Sequence, residues 1–357
     1  TMLTKEKYIL DQYRQEKKNY LKLGEIVYDI LENSIKETKI PINLIQYRVK
    51  EEKSLKGKLQ RKGDRYQSVF DLTDILGARV ICYFSDDIDR IGKIVEDAFD
   101  IDWEHSSDKR AALNIDSFGY LSLHYICSLK KDGKYEENLC DRRFEIQIRT
   151  ILQHAWSDVN HDLWYKPEFG IPKAITRDFA RLAGLLEIAD DEFIRIRDTV
   201  NEYTEGVRLK VANDGADDVP LDSVSFTEYM RHNKKMQEFI KTLADIEGSE
   251  VTFVSPDQYI EQFKWLGASS IGDVQKMLAE NSDLAEKLAR KALEGTEMDI
   301  LSTTAALRFL CRAKLISGGY SKEQIEEFIT ISTRDKKRAS RQAEHLIKTY
   351  EEIQKAE

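Results

Sequence analysis

The chain has 357 residues, 41% of them hydrophobic and 33% charged, with 17 glycines and 5 prolines. That length suits two domains, and the apolar content excludes a disordered chain. A formal net charge of −9 (55 Lys and Arg against 64 Asp and Glu) excludes a protein that coats nucleic acid through bulk charge, though not one with a local basic groove.

Residues 5–38 read as a helix, with Ile9, Tyr13, Tyr20, Leu23, Val27, Ile30 and Leu31 near helical spacing, until Pro41 ends the pattern. INLIQYRV reads as a short strand leading into a lysine-rich helix from about Ser54. GARVICYF is a β-favouring run of the kind expected in a strand buried on both faces. Asp86–Phe99 follows as an amphipathic helix, and YLSLHYICSL and RRFEIQIRT read as two further strands. From Ile151 to about Leu209 the pattern is helical, with a break at Pro167–Pro172. The Asp-rich stretch 212–223 offers little to bury, so 212–225 is the expected linker. Beyond it, 226–357 reads as short helices with one strand at EVTFV. The expected domains are therefore 1–211, mixing strands and helices, and 226–357, mostly helical.

The four cysteines (Cys82, Cys127, Cys140, Cys311) form no C-x-x-C pair and lack a histidine at zinc-finger spacing, so reduced, buried thiols are expected. No leader-like apolar segment and no run of about 18 apolar residues occurs, which makes a cytoplasmic protein without membrane contact the expectation.

Three patterns carry chemistry. From Arg48 to Arg65 eight basic residues (Arg48, Lys50, Lys53, Lys56, Lys58, Arg61, Lys62, Arg65) face three acids (Glu51, Glu52, Asp64). Arg48 and Lys50 share a strand face, and Ser54 and Lys58 share a helix face. Such convergence suits a polyphosphate; a solvated lysine-rich helix gives the same run. In FEIQIRT, Glu145, Gln147 and Arg149 alternate with apolar residues, as on any half-exposed strand. Asp74, ahead of the apolar GARVICYF run, needs a partner, either Mg²⁺ shared with Glu145 or an ion pair with Arg79 or Arg149. In FGYLSLHY, Gly119 permits close backbone approach, and Tyr120, Ser122 and His124 share one face, for base stacking and polar contacts or for packing.

The order RVK…S-x-x-x-K, D-I-L-G-A-R, G-Y-x-S-x-H, E-I-Q-I-R-T, followed by HAWSDVNHDLWYK, resembles the synthetase domain of the RelA/SpoT alarmone family over about residues 40–170. The resemblance implies an α+β fold: a nucleotidyltransferase-like mixed sheet flanked by helices, here followed by a mostly helical carboxy-terminal domain. It implies transfer of the β,γ-pyrophosphate of ATP to the 3′-hydroxyl of GDP or GTP, giving (p)ppGpp. It further implies Arg48, Lys50, Ser54, Lys58 and Arg79 on the ATP side. Asp74 would bind Mg²⁺, with Glu145 as second carboxylate or base. Tyr120, Ser122, His124, Gln147, Arg149 and His161 would lie on the acceptor side.

Two departures fall near the acceptor. Asp116-Ser117-Phe118 replaces the family's Lys-Pro-Asn, with Lys109 and Arg110 upstream as substitutes, and Asn160 stands where relatives commonly have Glu. The separated His, His-Asp and Asp ligands of the family's hydrolase have no counterpart, so degradation is not expected. The appended domain and altered acceptor segment keep open a toxin-type relative that modifies the tRNA 3′ end, with ISTRDKKRASR (331–341) as a basic patch or an ordinary solvated helix start. An inactive nucleotide-sensing module is the third reading. Homo-oligomerisation, and binding of 226–357 to the synthetase domain or to a regulatory protein, complete the expected partners.

Overall fold

The computed structural model describes residues 2–62, 65–108, 122–165, 173–212 and 215–356, in two compact units, Thr1–Arg197 and Asp198–Glu357. The first unit opens with α1 (Met2–Lys36), whose Ile9, Tyr13, Tyr20, Leu23, Val27 and Leu31 are all buried. Lys39 takes a left-handed backbone (φ 59°) as the chain reverses into β1 (Ile42–Val49) and then α2 (Glu52–Lys62). Next come β2 (Leu76–Cys82), α3 (Asp87–Ala98) and two short strands, β3 (Asp100–Ile101) and β4 (Ser107–Asp108). The unit continues with β5 (Leu123–Ser128), α4 (Glu137–Cys140), β6 (Phe144–Thr150), α5 (Ile151–Tyr165) and the first part of α6 (Lys173–Ala212), whose residues from 198 on belong to the second unit.

These strands form one mixed sheet in the order β1-β2-β6-β5-β3, with β4 also on β5; β2 and β6 run parallel and the other pairs antiparallel. One face carries Ala78, Val80, Tyr125, Ile146 and Ile148 into a core shared with α1 and α3. Arg142, almost fully buried, hydrogen-bonds Glu16 of α1 and lies 6.0 Å from the Tyr20 ring, holding that helix to the sheet. Burial alone would raise the Glu16 carboxyl, but Asn19 and Arg142 hold it below its ordinary value.

The GARVICYF strand is not buried on both faces along its length. Val80–Cys82 are, but Gly77 and Arg79 are half-exposed, because the second sheet face opens onto a cavity there. α4, β3 and β4 escaped sequence reading because they are too short to show a period.

The second unit contains α7 (Ser223–His232), α8 (Lys234–Ala244), β7 (Glu250–Thr252), α9 (Ile260–Trp265), α10 (Ile271–Leu293), β8 (Ile300–Ser302), α11 (Thr304–Ser317), α12 (Lys322–Thr333) and α13 (Lys336–Ala356). Its strands form a small parallel pair, and Asp222, Ser270 and Ser321 cap α7, α10 and α12 through capping boxes. The 212–225 stretch is not a linker. Ala216, Val219 and Leu221 are buried in this unit's core, and Leu221 N–H and Val219 C=O bond to Ser269 C=O and Ile271 N–H. The chain divides earlier, between 197 and 198. All four cysteines are buried and free, and burial pushes the Cys82 thiol up to about 12. No helix among the described residues is long and apolar enough to cross a membrane.

Candidate active site

Sheet register assembles the site. Arg48, Gly77 and Glu145 form one rung across β1, β2 and β6, and Gln46, Arg79, Gln147 and His124 form the next across four strands. Paired residues share a sheet face, so one two-rung patch collects residues from four separate segments. Above it lies a cavity of about 620 Å³ whose lining includes Arg48, Lys50, Ser54, Asp74, Arg79 and Glu145.

Lys50, just past β1, is held through its backbone. Its N–H donates to Ile75 C=O (2.7 Å), and its C=O accepts from the buried Tyr13 hydroxyl of α1. Its ammonium reaches Asp74 at 3.0 Å, and Lys58 of α2 reaches the other Asp74 oxygen at 2.7 Å. Asp74 therefore has two lysine partners; the Arg79 and Arg149 pairs considered from sequence are not formed. Burial would raise the Asp74 carboxyl, but the Lys58 hydrogen bond and the two ammonium charges hold it below its ordinary value. Ser54, one turn before Lys58, lines the same cavity. Arg48 has no side-chain partner among the described residues, and Arg79 has only a long contact of 3.9 Å with Asp158.

Glu145 closes the opposite wall. One oxygen lies 2.6 Å from His124 Nδ1, and the other accepts from Gln147 Nε2 at 3.0 Å. His124 Nε2 in turn lies 2.5 Å from the Ser122 hydroxyl. Burial would raise the Glu145 carboxyl, but His124 and Gln147 bring it below its ordinary value even with Asp74 opposing them. The Gln147 side-chain oxygen is buried without a partner among the described residues.

Arg149 stands apart from the cavity lining, donating to Ser157 of α5 at 2.9 Å with its Nε unpartnered among the described residues. Burial and then the neighbouring Arg79 lower its affinity for its proton. Asp158 draws in both Arg79 and His154, the latter at 3.6 Å. Burial, with Arg79 and Arg149 nearby, keeps His154 below its ordinary value. Sequence reading missed Gln46, His154, Ser157 and Asp158, since the contacts of the last three arise from α5 folding back over the sheet. Gly119, Tyr120, Lys109, Arg110 and Asp116–Phe118 lie outside the described residues, as does the His161 side chain.

Two predictions arise here. Both carboxyls titrate below their ordinary values of 3.8 and 4.5, so their stabilisation is fully present above those values and is lost as pH falls through the lower folded values. Acid denaturation of the wild type should therefore be steeper below about pH 4 than that of Asp74→Asn, as read by circular dichroism. Gly24 of α1 lies against Tyr47, behind β1: an added Cβ would sit 2.4 Å from that ring. Gly24→Ala should destabilise the protein by about 1–3 kcal/mol, as measured by denaturant unfolding, because the ring must move against a packed core.

Comparison with known proteins finds similarities over this part of the chain. A family model described as "Region found in RelA / SpoT proteins" matches residues 47–169. The chain is 29% identical over 168 residues to GTP pyrophosphokinase YwaC of Bacillus subtilis (strain 168), covering 45% of this chain and 76% of that protein. To GTP pyrophosphokinase YjbM of the same strain it is 28% identical over 170 residues, covering 45% and 75%. Among solved structures, small alarmone synthetase 1 from Bacillus subtilis aligns with a TM-score of 0.45 at 26% identity, over 54% of this chain and 99% of that one. The same synthetase bound to its product pppGpp aligns with a TM-score of 0.45 at 24% identity, over 54% and 99%. The matched region contains Arg48, Lys50, Lys58, Asp74, Arg79 and Glu145, so it is over residues 47–169 that this chain is similar to RelA/SpoT proteins.

Proposed function

We propose that the first unit is an ATP-dependent pyrophosphokinase that transfers the β,γ-pyrophosphate of ATP to the 3′-hydroxyl of GDP or GTP, making (p)ppGpp. The carrying observation is one cavity with cations on one side and a hydrogen-bonded carboxylate on the other: Arg48, Arg79 and the Lys50–Asp74–Lys58 cluster against Glu145 with His124. The arginines take the triphosphate as forked donors, and the two lysines turn from Asp74 toward phosphate oxygens as substrate enters. Ser54 adds a hydroxyl to that wall.

Glu145 is ionised at neutral pH and accepts the proton of the acceptor 3′-hydroxyl. The 3′-oxygen attacks the β-phosphorus, the bond from that phosphorus to the α,β-bridging oxygen breaks, and AMP leaves. His124, fixed by Ser122, donates to Glu145 and orients it, while Gln147 holds the second oxygen. Asp74 and Glu145 fit Mg²⁺, which takes one or two carboxylates beside substrate phosphates, and the unpartnered Gln147 oxygen of the same lining is the kind of hard donor such a cation takes. Mg²⁺ held there would supply charge neutralisation on the transferred group. Tyr120, Arg149 and His161 remain acceptor-side proposals from the family resemblance, and residues 226–357 a proposed regulatory region.

The guanine acceptor is supported by the GTP pyrophosphokinase relatives. The test incubates the purified 357-residue chain with γ-labelled ATP, Mg²⁺ and, in turn, GDP, GTP, ATP or deacylated tRNA. Label on a guanine nucleotide is expected. Label on tRNA alone would establish the toxin-type reading instead, and transfer to none of the four would leave a binding module.

A further inference from the structure

The second unit holds a cavity of about 560 Å³ that the proposed transfer chemistry does not use. Leu288 of α10 and Phe309 of α11 supply apolar wall, while Arg312 of α11 and Arg338, Arg341 and His345 of α13 supply basic groups. The last three recur at i, i+3 and i+7, on one helix face. No acidic residue lines the cavity. Glu344 and Glu352 of α13 are engaged elsewhere, with Lys322 at 2.6 Å and Lys291 at 3.6 Å.

Arg312 is the informative member. It is half-buried, it lies 5.9 Å from the Phe309 ring, and Arg308 lies 5.0 Å from the same ring. Among the described residues neither Arg312 nor Arg338 nor Arg341 has a carboxylate partner or a side-chain hydrogen bond. Burial, then the charge of Arg308, lowers the proton affinity of Arg312. A guanidinium withdrawn from water beside another cation and without a counter-charge is costly, and an anion in the cavity removes that cost.

We propose that this cavity binds the phosphate chain of a small polyphosphorylated molecule, with Arg312 at its floor and Arg338 and Arg341 at its mouth. Three guanidiniums are more than a single phosphate needs, and their planar forks match several phosphate groups in series. The volume suits a small ligand, and the Phe309–Leu288 wall gives a nucleobase, where one is attached, an apolar surface. The basic residues of the 331–341 run thus do two things: Lys336 and Lys337 are exposed, while Arg338 and Arg341 face the cavity.

Hydrogen–deuterium exchange on the whole 357-residue chain tests this, with ATP, GTP and inorganic tripolyphosphate as separate probes. Peptides from α11 and α13 should gain protection, read independently of peptides from β1 and α2, where ATP binding at the first unit registers. Binding read from those α11 and α13 peptides should weaken by about tenfold per guanidinium removed in Arg338→Ser/Arg341→Ser and in Arg312→Met. The first variant changes only exposed positions, so it stays interpretable if Arg312→Met folds poorly. Equal protection by all three probes identifies the phosphate chain alone as the ligand; stronger protection by a nucleotide adds its base. Absence of protection with every probe, protection unchanged in Arg338→Ser/Arg341→Ser, or tighter binding of deacylated tRNA than of any small probe overturns the proposal.

Discussion

Asp74→Asn should lower pyrophosphate transfer by about a thousandfold or more while leaving the protein folded. Asparagine keeps the shape and one acceptor oxygen but removes the charge that Lys50 and Lys58 share. Two consequences follow. One of the two carboxylates proposed to hold Mg²⁺ is lost, and the lysines, no longer held by a carboxylate, meet incoming phosphates from a different starting geometry. The lysine side chains keep about a fifth of their surface exposed, so water compensates much of the lost pairing. The stability cost should then be on the order of 1 kcal/mol. Steady-state transfer and thermal unfolding measured on the same preparation check both halves. Activity near the wild-type level would remove Asp74 from the reaction and leave it as the anchor of two lysines.

Glu145→Gln should lower kcat by about a hundredfold to ten-thousandfold with little change in the KM for ATP. The amide cannot take a proton from a hydroxyl, yet it still accepts a hydrogen bond from His124. The position is set by the sheet, since Glu145 stands opposite Gly77 on β2 and Ile126 on β5. The substitution should therefore change chemistry more than placement. His124→Ala should be milder, because Gln147 still holds Glu145 from its other oxygen. A raised KM for ATP at unchanged kcat would move Glu145 from the proton-transfer role to donor binding.

Much of the first unit was readable without coordinates. INLIQYRV is β1 to the residue, and the strand expected over RRFEIQIRT runs from Phe144 to Thr150, without the two leading arginines. Local pattern succeeds there because a strand with one buried face writes a period of two into its own residues. The order of four motifs also singles out Arg48, Lys50, Ser54, Asp74, Arg79, Glu145 and Gln147 of the cavity lining, though not Gln46. It does not single out their partners. The sequence offers Asp74 either Mg²⁺ shared with Glu145 or an ion pair with Arg79 or Arg149, and the protein pairs it with lysines 24 and 16 residues earlier, at 50 and 58. Which cation arrives first depends on how α2 packs against the turn before β2, and no local period records that.

The 212–225 segment shows the same limit from the other side. Four aspartates with Gly215 and Pro220 look unable to bury anything, yet Val219 and Leu221 are held by hydrogen bonds to residues about fifty positions later and sit in the core. Backbone bonds over that distance are invisible to composition. The sequence by itself determined the longer strands and helices of the first unit, that the four cysteines suit burial as thiols, and which residue types converge near residues 48–58, 74 and 145, because periodicity and charge are properties of neighbours along the chain. Only the tertiary structure decided that Arg48, Gly77 and Glu145 share a rung, that His124 backs Glu145, and that three arginines meet in the second unit, because register and helix packing are set by burial summed over the whole core.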